Sequence, residues 1–440
     1  MAWGPSGDPA GSEPGRIAVM VLRIASVVFF VSALVSAQGL GPPCLLPAPE
    51  GDRILAREAP RPGVVASRSV RTDPEVLRSL AEPRAVAATT PFCFGDDMNH
   101  VATWIGVERC AGRTVLSGRL DAAGRATLVF ADDGVAAGRF ELGDELWLLE
   151  WLGAAGLHVL RRLDPARLPE PASDDAIAVA HRIGAPLPGA LQATLGPTIV
   201  DVLVVYTAAA RAGAGGTAQI RNTIALSLAS ANQGLVDSGV ELQFRLVHAA
   251  ETSYVEAGNQ TDLTRLRIPG DGHLDEVHAL RANYGADLVQ LVAEAGFFAC
   301  GVGYQMIAVT PSFRDWAFSV VSRSCIPNGY SMQHEWGHNL GSEHDVGNAL
   351  GPGAFPYSYG FRTADSQYRT IMAYSPGTRV NLWSSPNVVH RGYVMGSATK
   401  DNARSLGGTK ATAREFTPTK LLEWEAIAGQ TPTEVSQVVR

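Results

Sequence analysis

The sequence predicts an α+β chain in which a small β-rich domain precedes a larger domain built on a twisted, mostly parallel sheet. Three observations lead there. Between 91 and 164 short apolar runs alternate with Gly and Asp-Gly turns, the pattern of a small antiparallel β domain. From Thr198 onward, strand-like runs alternate with segments of helical period. A Pro-rich stretch, 165–197, lies between the two and reads as a linker or processing segment. The 440 residues carry 36 Lys+Arg against 43 Asp+Glu, a net charge of −7, which argues against a nucleic-acid partner. An apolar fraction of 46% rules out bulk disorder.

Taken in order, 1–37 reads as a secretory signal peptide, with a possible true start at Met20. Arg23 supplies the basic residue, Ile24 to Ala37 is uncharged, and Val35-Ser36-Ala37 provides small residues for cleavage. A membrane anchor over 17–37 is the competing reading, but a span needs about 20 apolar residues and Arg23 interrupts this run. Residues 38–90, rich in Pro, Arg and Ala, read as a flexible leader. In 91–164 the apolar runs begin near Val101, Arg113, Ala126 and Leu146. A domain over 198–415 then opens with the buried-strand run Ile199 to Tyr206. Helical spacing follows through Ile220, Ile224, Leu228 and Leu235. Strands are expected at 240–247, 286–293, 302–309 and 317–321, and helices near 273–284 and 331–340. Beyond Gly341 the chain becomes loop-rich to about Asn402, and 416–440 is a tail, partly helical.

The segment His334-Glu335-Trp336-Gly337-His338-Asn339-Leu340-Gly341-Ser342-Glu343-His344-Asp345 carries the chemistry. On a helix, His334 and His338 point to the same side one turn apart, so both can bind one ion. Gly341 can adopt the backbone angles that stop the helix and bring His344 round as a third ligand. Three neutral imidazoles suit Zn²⁺ and leave a position for water, beside which Glu335 would act as general base. Downstream, Met372 fits a tight turn flooring the site, and Tyr374 could donate to a developing oxyanion. A different class remains open at this stage: an exported, non-enzymatic binding or adhesion protein with a structural zinc site. Structural sites usually have four protein ligands, so three His beside a Glu favour catalysis.

From about Thr198 to Asn402 the chain resembles the metzincin zinc endopeptidases, and within them the bacterial peptidyl-Asp metallopeptidases, with a more distant likeness to reprolysins. The resemblance rests on His334 to Asp345, on Thr370-Ile-Met-Ala-Tyr374 and on Ile199 to Thr207. It implies His334, His338 and His344 as ligands of one catalytic Zn²⁺, Glu335 as base and acid, and an irregular lower subdomain below the sheet. It also implies that protein or peptide substrates pair with an edge strand, here near 302–309. Asp345 is expected to hydrogen-bond within the turn. The Asp-directed branch needs a cation for a substrate carboxylate. Arg379, just after the Met turn, is the candidate, with Arg362 and Arg369 as alternatives.

Of the five cysteines, Cys300 and Cys325 could bridge, as could Cys93 and Cys110, leaving Cys44 free. The β-rich domain is expected to be a propeptide, with a thiolate of Cys93 or Cys44 as one way to keep the zinc site closed. The expected product is a secreted or periplasmic monomer made as a zymogen, cut within 165–197, with no stable membrane anchor after signal removal.

Overall fold

The structure is a computed structural model; it describes residues 63–420 apart from 82–88, 169–174, 180–195, 295–299 and a few shorter gaps, plus scattered residues between 46 and 61. The expected signal peptide, Cys44 and most of the tail lie outside the described residues. Among the described residues no helix is long and apolar enough to cross a membrane.

The N-terminal domain is one antiparallel sheet. Its strands are β1 (Leu46–Pro47), β2 (Val64–Arg71), β3 (Thr89–Gly95), β4 (Met98–Cys110), β5 (Arg113–Leu120), β6 (Gly124–Phe130), β7 (Ala136–Leu142), β8 (Glu145–Trp151) and β9 (Leu157–Leu163), with helix α1 (Pro74–Leu80) after β2. They lie in the order β1-β2-β9-β8-β7-β6-β5-β4-β3. Trp104, Leu116, Phe130, Phe140 and Leu160 fill its core. Two expectations change here. The stretch 38–90 is not a flexible leader throughout, because β2 pairs with β9 and Val70, Leu77 and Leu80 are buried in the sheet's core. Cys110 is a free thiol, so the Cys93–Cys110 bridge is not made. Cys93 opposes Asn99 while Cys110 ends the same strand, about 11 residues and some 36 Å further along.

The second domain runs through β10 (Ala176–Val179), β11 (Thr198–Thr207), α2 (Ala208–Ala214), α3 (Thr217–Asp237), β12 (Leu242–Thr252), α4 (Asn259–Arg267), α5 (Asp275–Tyr284), β13 (Leu288–Ala293), β14 (Gly301–Met306), β15 (Phe318–Ser322), α6 (Ser331–Asn339) and α7 (Asn402–Ala413). Its sheet has the order β10-β14-β15-β13-β11-β12. All neighbours are parallel except β14 with β15. The near-continuous apolar runs of β11 and β13 follow from burial on both faces. The expected strand 302–309 is shorter, ending at Met306, because the chain leaves the sheet to enter a 3-10 turn opened by Thr310 and Pro311.

The segment 165–197 is also more than a linker. It contributes β10, which pairs in parallel with β14 in the register Ala176↔Gly303 to Val179↔Met306. The edge expected to receive a peptide is therefore covered by the chain's own residues. A disulfide joins Cys300 at the start of β14 to Cys325 after β15, with Cα atoms 5.5 Å apart. Among the described residues beyond Asp345 the strands are two-residue pieces, and the helix α7 caps on the Asp401 side chain and buries Leu406.

Candidate metal centre and active site

Helix α6 enters the core because Met332, Trp336 and Leu340 are apolar and buried, with Trp336 packed on Phe244 at a centroid separation of 4.7 Å. The helix stops at Gly341, whose φ of +84° is unfavourable for other residues. A Cβ there would also overlap Ala354. The chain then turns back so that His344 faces His334 and His338. Their Nε2 atoms converge: His334 lies 3.2 Å from His338 and 3.3 Å from His344.

The other ring nitrogens fix the orientation of two of the three rings. His334 Nδ1 donates to the Ile371 carbonyl at 3.0 Å, and His338 Nδ1 donates to the Ser342 carbonyl at 3.0 Å. His344 Nδ1 lies 3.2 Å from Glu343 Oε1 but makes no hydrogen bond with it. With Nδ1 of His334 and His338 carrying the proton, their Nε2 atoms are lone pairs, and lone pairs this close repel unless a cation stands between them. Ligands about 2.0 Å from a tetrahedral metal are about 3.3 Å apart, so the spacing fits a zinc-sized ion.

A fourth side chain completes the cluster, and the sequence did not announce it. Asp175, the residue before β10, is fully buried, with Oδ1 2.7 Å from His344 Nε2 and 3.5 Å from His338 Nε2, and Oδ2 3.3 Å from His334 Nε2. Neither of its oxygens has a conventional hydrogen-bond partner. Four buried donor atoms lie within 4.8 Å of one another. Among the described residues this carboxylate, and no thiolate, stands beside the three imidazoles.

Glu335 sits on the sheet side, and both its oxygens are buried without a hydrogen-bond partner. Gly301 and Gly303 on β14 leave the room it occupies, since a Cβ at Gly301 would overlap Glu335 Oε1. Burial first, and the Asp175 charge second, push its carboxyl well above the usual range, opposed by Arg379. Burial holds His334 down at about 3 against the pull of Asp175. The Tyr374 hydroxyl lies 3.1 Å from His344 Nε2, and burial with the Asp175 charge keeps it protonated.

Met372 is fully buried under the helix, where a Cβ at Gly337 would lie 2.8 Å from its sulfur. Asp345 bonds more widely than expected: it accepts from Asn348 within the turn, from the Tyr374 amide at 3.0 Å and from Arg362 at 3.0 Å. Arg362 is thereby committed, and Arg369 donates to the carbonyls of Gly377 and Ala373. Arg379 donates to the Gly329 carbonyl at 2.6 Å and lines a cavity of about 720 Å³ shared with Tyr330, Arg139 and Glu141.

The arrangement can hold a divalent metal and place a carboxylate and a phenol beside it. Comparison with known proteins agrees. Residues 196–384 match Metallo-peptidase family M12 (Reprolysin_5). A peptidyl-Asp metalloendopeptidase of Xanthomonas campestris pv. campestris is 37% identical over 312 residues, covering 68% of this chain and 72% of that protein. One from Stenotrophomonas maltophilia is 35% identical over 308 residues, covering 67% and 72%. One from Pseudomonas aeruginosa is 29% identical over 254 residues, covering 51% and 41%. Family membership rules out the non-enzymatic reading: the chain is a metalloendopeptidase and belongs to the peptidyl-Asp metalloendopeptidase family.

Proposed function

We propose that the chain is a secreted, zinc-dependent endopeptidase made as a zymogen, selective for Asp at the cleavage site, whose latency rests on Asp175. The observation that carries the reading is the convergence of three imidazole Nε2 atoms and one pro-segment carboxylate on a single point. In the mature enzyme His334, His338 and His344 hold the ion. When bound, zinc supplies Lewis acidity that acidifies water and polarises a peptide carbonyl. Glu335 takes the proton from the attacking water and passes it to the departing amine. Its poor solvation makes the protonated state easy to reach. Tyr374 donates its hydroxyl hydrogen to the carbonyl oxygen as charge develops there. Gly301 and Gly303 keep the β14 backbone close to Glu335, so a peptide paired on that edge lies alongside the base.

Latency follows from the same geometry. Asp175 fills the place water would take, and β10 fills the place a substrate strand would take. Asp selectivity is supported by the relatives' names and by Arg379, whose charge reaches both Glu335 and Tyr374. Arg362 and Arg369 are less suited, being held by Asp345 and by backbone carbonyls. Export is supported by the signal-like 1–37 and by the Cys300–Cys325 bridge. The deciding experiment digests an unfolded protein mixture with processed enzyme, with and without a chelator, and sequences the new termini. New N-termini beginning predominantly with Asp, abolished by chelation, support the reading. Random termini remove the selectivity, and no cleavage removes the peptidase assignment.

A further inference from the structure

Among the described residues, the chain before 180 touches the rest of the catalytic domain in several places, two of which matter here. One is Asp175 with β10. The other is a face of β5, β6 and β7 laid along α3, and nothing in the metal chemistry calls for it. Val115, Val129 and Ala137 form an apolar cluster with Ala225 and Leu226 of the helix. Asn222 Nδ2, fully buried, donates to the Val135 carbonyl at 3.0 Å. Arg113 reaches the Ala218 carbonyl at 3.5 Å at one end of the helix, and Arg125 pairs with Asp237 at the other. Positions 218, 222, 225 and 226 follow a helical stripe, and 218 to 237 spans about 28 Å.

The contact continues past the helix. Arg139 Nη2 donates to the Tyr330 hydroxyl at 2.5 Å, with its guanidinium 4.9 Å from the ring centroid. Tyr330 immediately precedes α6 and has a φ of +55°. Arg139 and Glu141 thus stand in the cavity that Arg379 lines. The domain has its own apolar core, so its shape does not depend on the covalent connection.

We propose that the N-terminal domain is a self-sufficient inhibitor: cut anywhere between Val179 and Thr198, it stays bound through α3 and keeps the site closed. Cutting the connection is then not activation. The domain must also be destroyed or displaced. The inhibitory half of this proposal rests on the peptidase reading, while the binding half does not.

The test places a site-specific protease sequence within 181–194 of the full chain and cuts it at micromolar concentration. The two fragments should co-elute on size exclusion at the mass of the uncut chain, and peptide hydrolysis should stay within about twofold of the uncut level. Co-elution should survive a chelator and the Asp175→Ala substitution, because α3 rather than the metal holds the domain. Asn222→Ala removes a buried hydrogen bond across the contact and leaves the Val135 carbonyl with only the longer one from the Ala131 amide at 3.3 Å, so the dilution at which the fragments part should fall by about tenfold. Separation of the wild-type fragments at once, separation on chelation, or full activity of the co-eluting complex would each overturn the proposal. Co-elution followed by no hydrolysis even after the N-terminal fragment is digested away would instead count against the peptidase reading.

Discussion

Asp175 Oδ1 lies 2.7 Å from His344 Nε2, although 169 residues separate them in the chain. The contact ties a carboxylate from the proposed pro-segment to the third imidazole of the cluster. Removing that carboxylate should raise peptide hydrolysis by the uncut chain. Asp175→Ala should increase the basal rate at least tenfold while metal content stays near one ion per chain. An unchanged rate with intact metal would place latency elsewhere, in the α3 contact.

Glu335→Gln keeps the size of the side chain and removes its base. Metal content should be unchanged, and kcat/KM should fall by about 10²–10⁴, the range for losing a positioned general base. Elemental analysis and peptide hydrolysis measured together distinguish this from a folding defect.

His338→Ala should behave differently. Its Nε2 is one of the three convergent nitrogens, so metal content, activity and the stabilisation that bound metal confers should fall together. The expected sign is a lower Tm than wild type in the presence of metal and a smaller difference after chelation.

The N-terminal domain should weaken in acid through His158. This ring is fully buried, donates from Nδ1 to the Gly156 carbonyl and accepts the Ala136 amide on Nε2, so only the neutral form fits. Burial lowers it from 6.5 to about 4. The folded value is below the unfolded one, so its contribution is complete above 6.5 and lost as pH falls toward 4. The effect is on the order of 3 kcal/mol. His158→Gln should flatten the stability of that domain between these pH values, measured by denaturant titration.

Reducing the Cys300–Cys325 bridge frees a loop of 25 residues, which should cost about 3 kcal/mol on the chain-entropy account. The loss should appear as a lower Tm in reductant and vanish in a Cys300→Ala/Cys325→Ala variant.

The metal cluster was legible in sequence because its information is local. His334 and His338 need only a helix, and Gly341 announces the turn that returns His344. Asp175 was not legible, because it is one carboxylate in a Pro-rich stretch and no spacing links it to α6. Helix α7 was hidden by Gly407 and Gly408, which lower helix propensity over a segment whose packing of Leu406 decides the matter. Strand β2 was obscured in the same way, its short apolar pattern counting for little until β9 lies beside it.

The β10–β14 pairing also protects the molecule before it ever works. An unpaired strand edge is a template for association with any extended chain. While β10 is seated, the nascent protein offers no such template at β14. On the proposed zymogen reading maturation would expose it, and the property that would let the enzyme grip a polypeptide is the same one that would make identical copies stick together if it were bared too early.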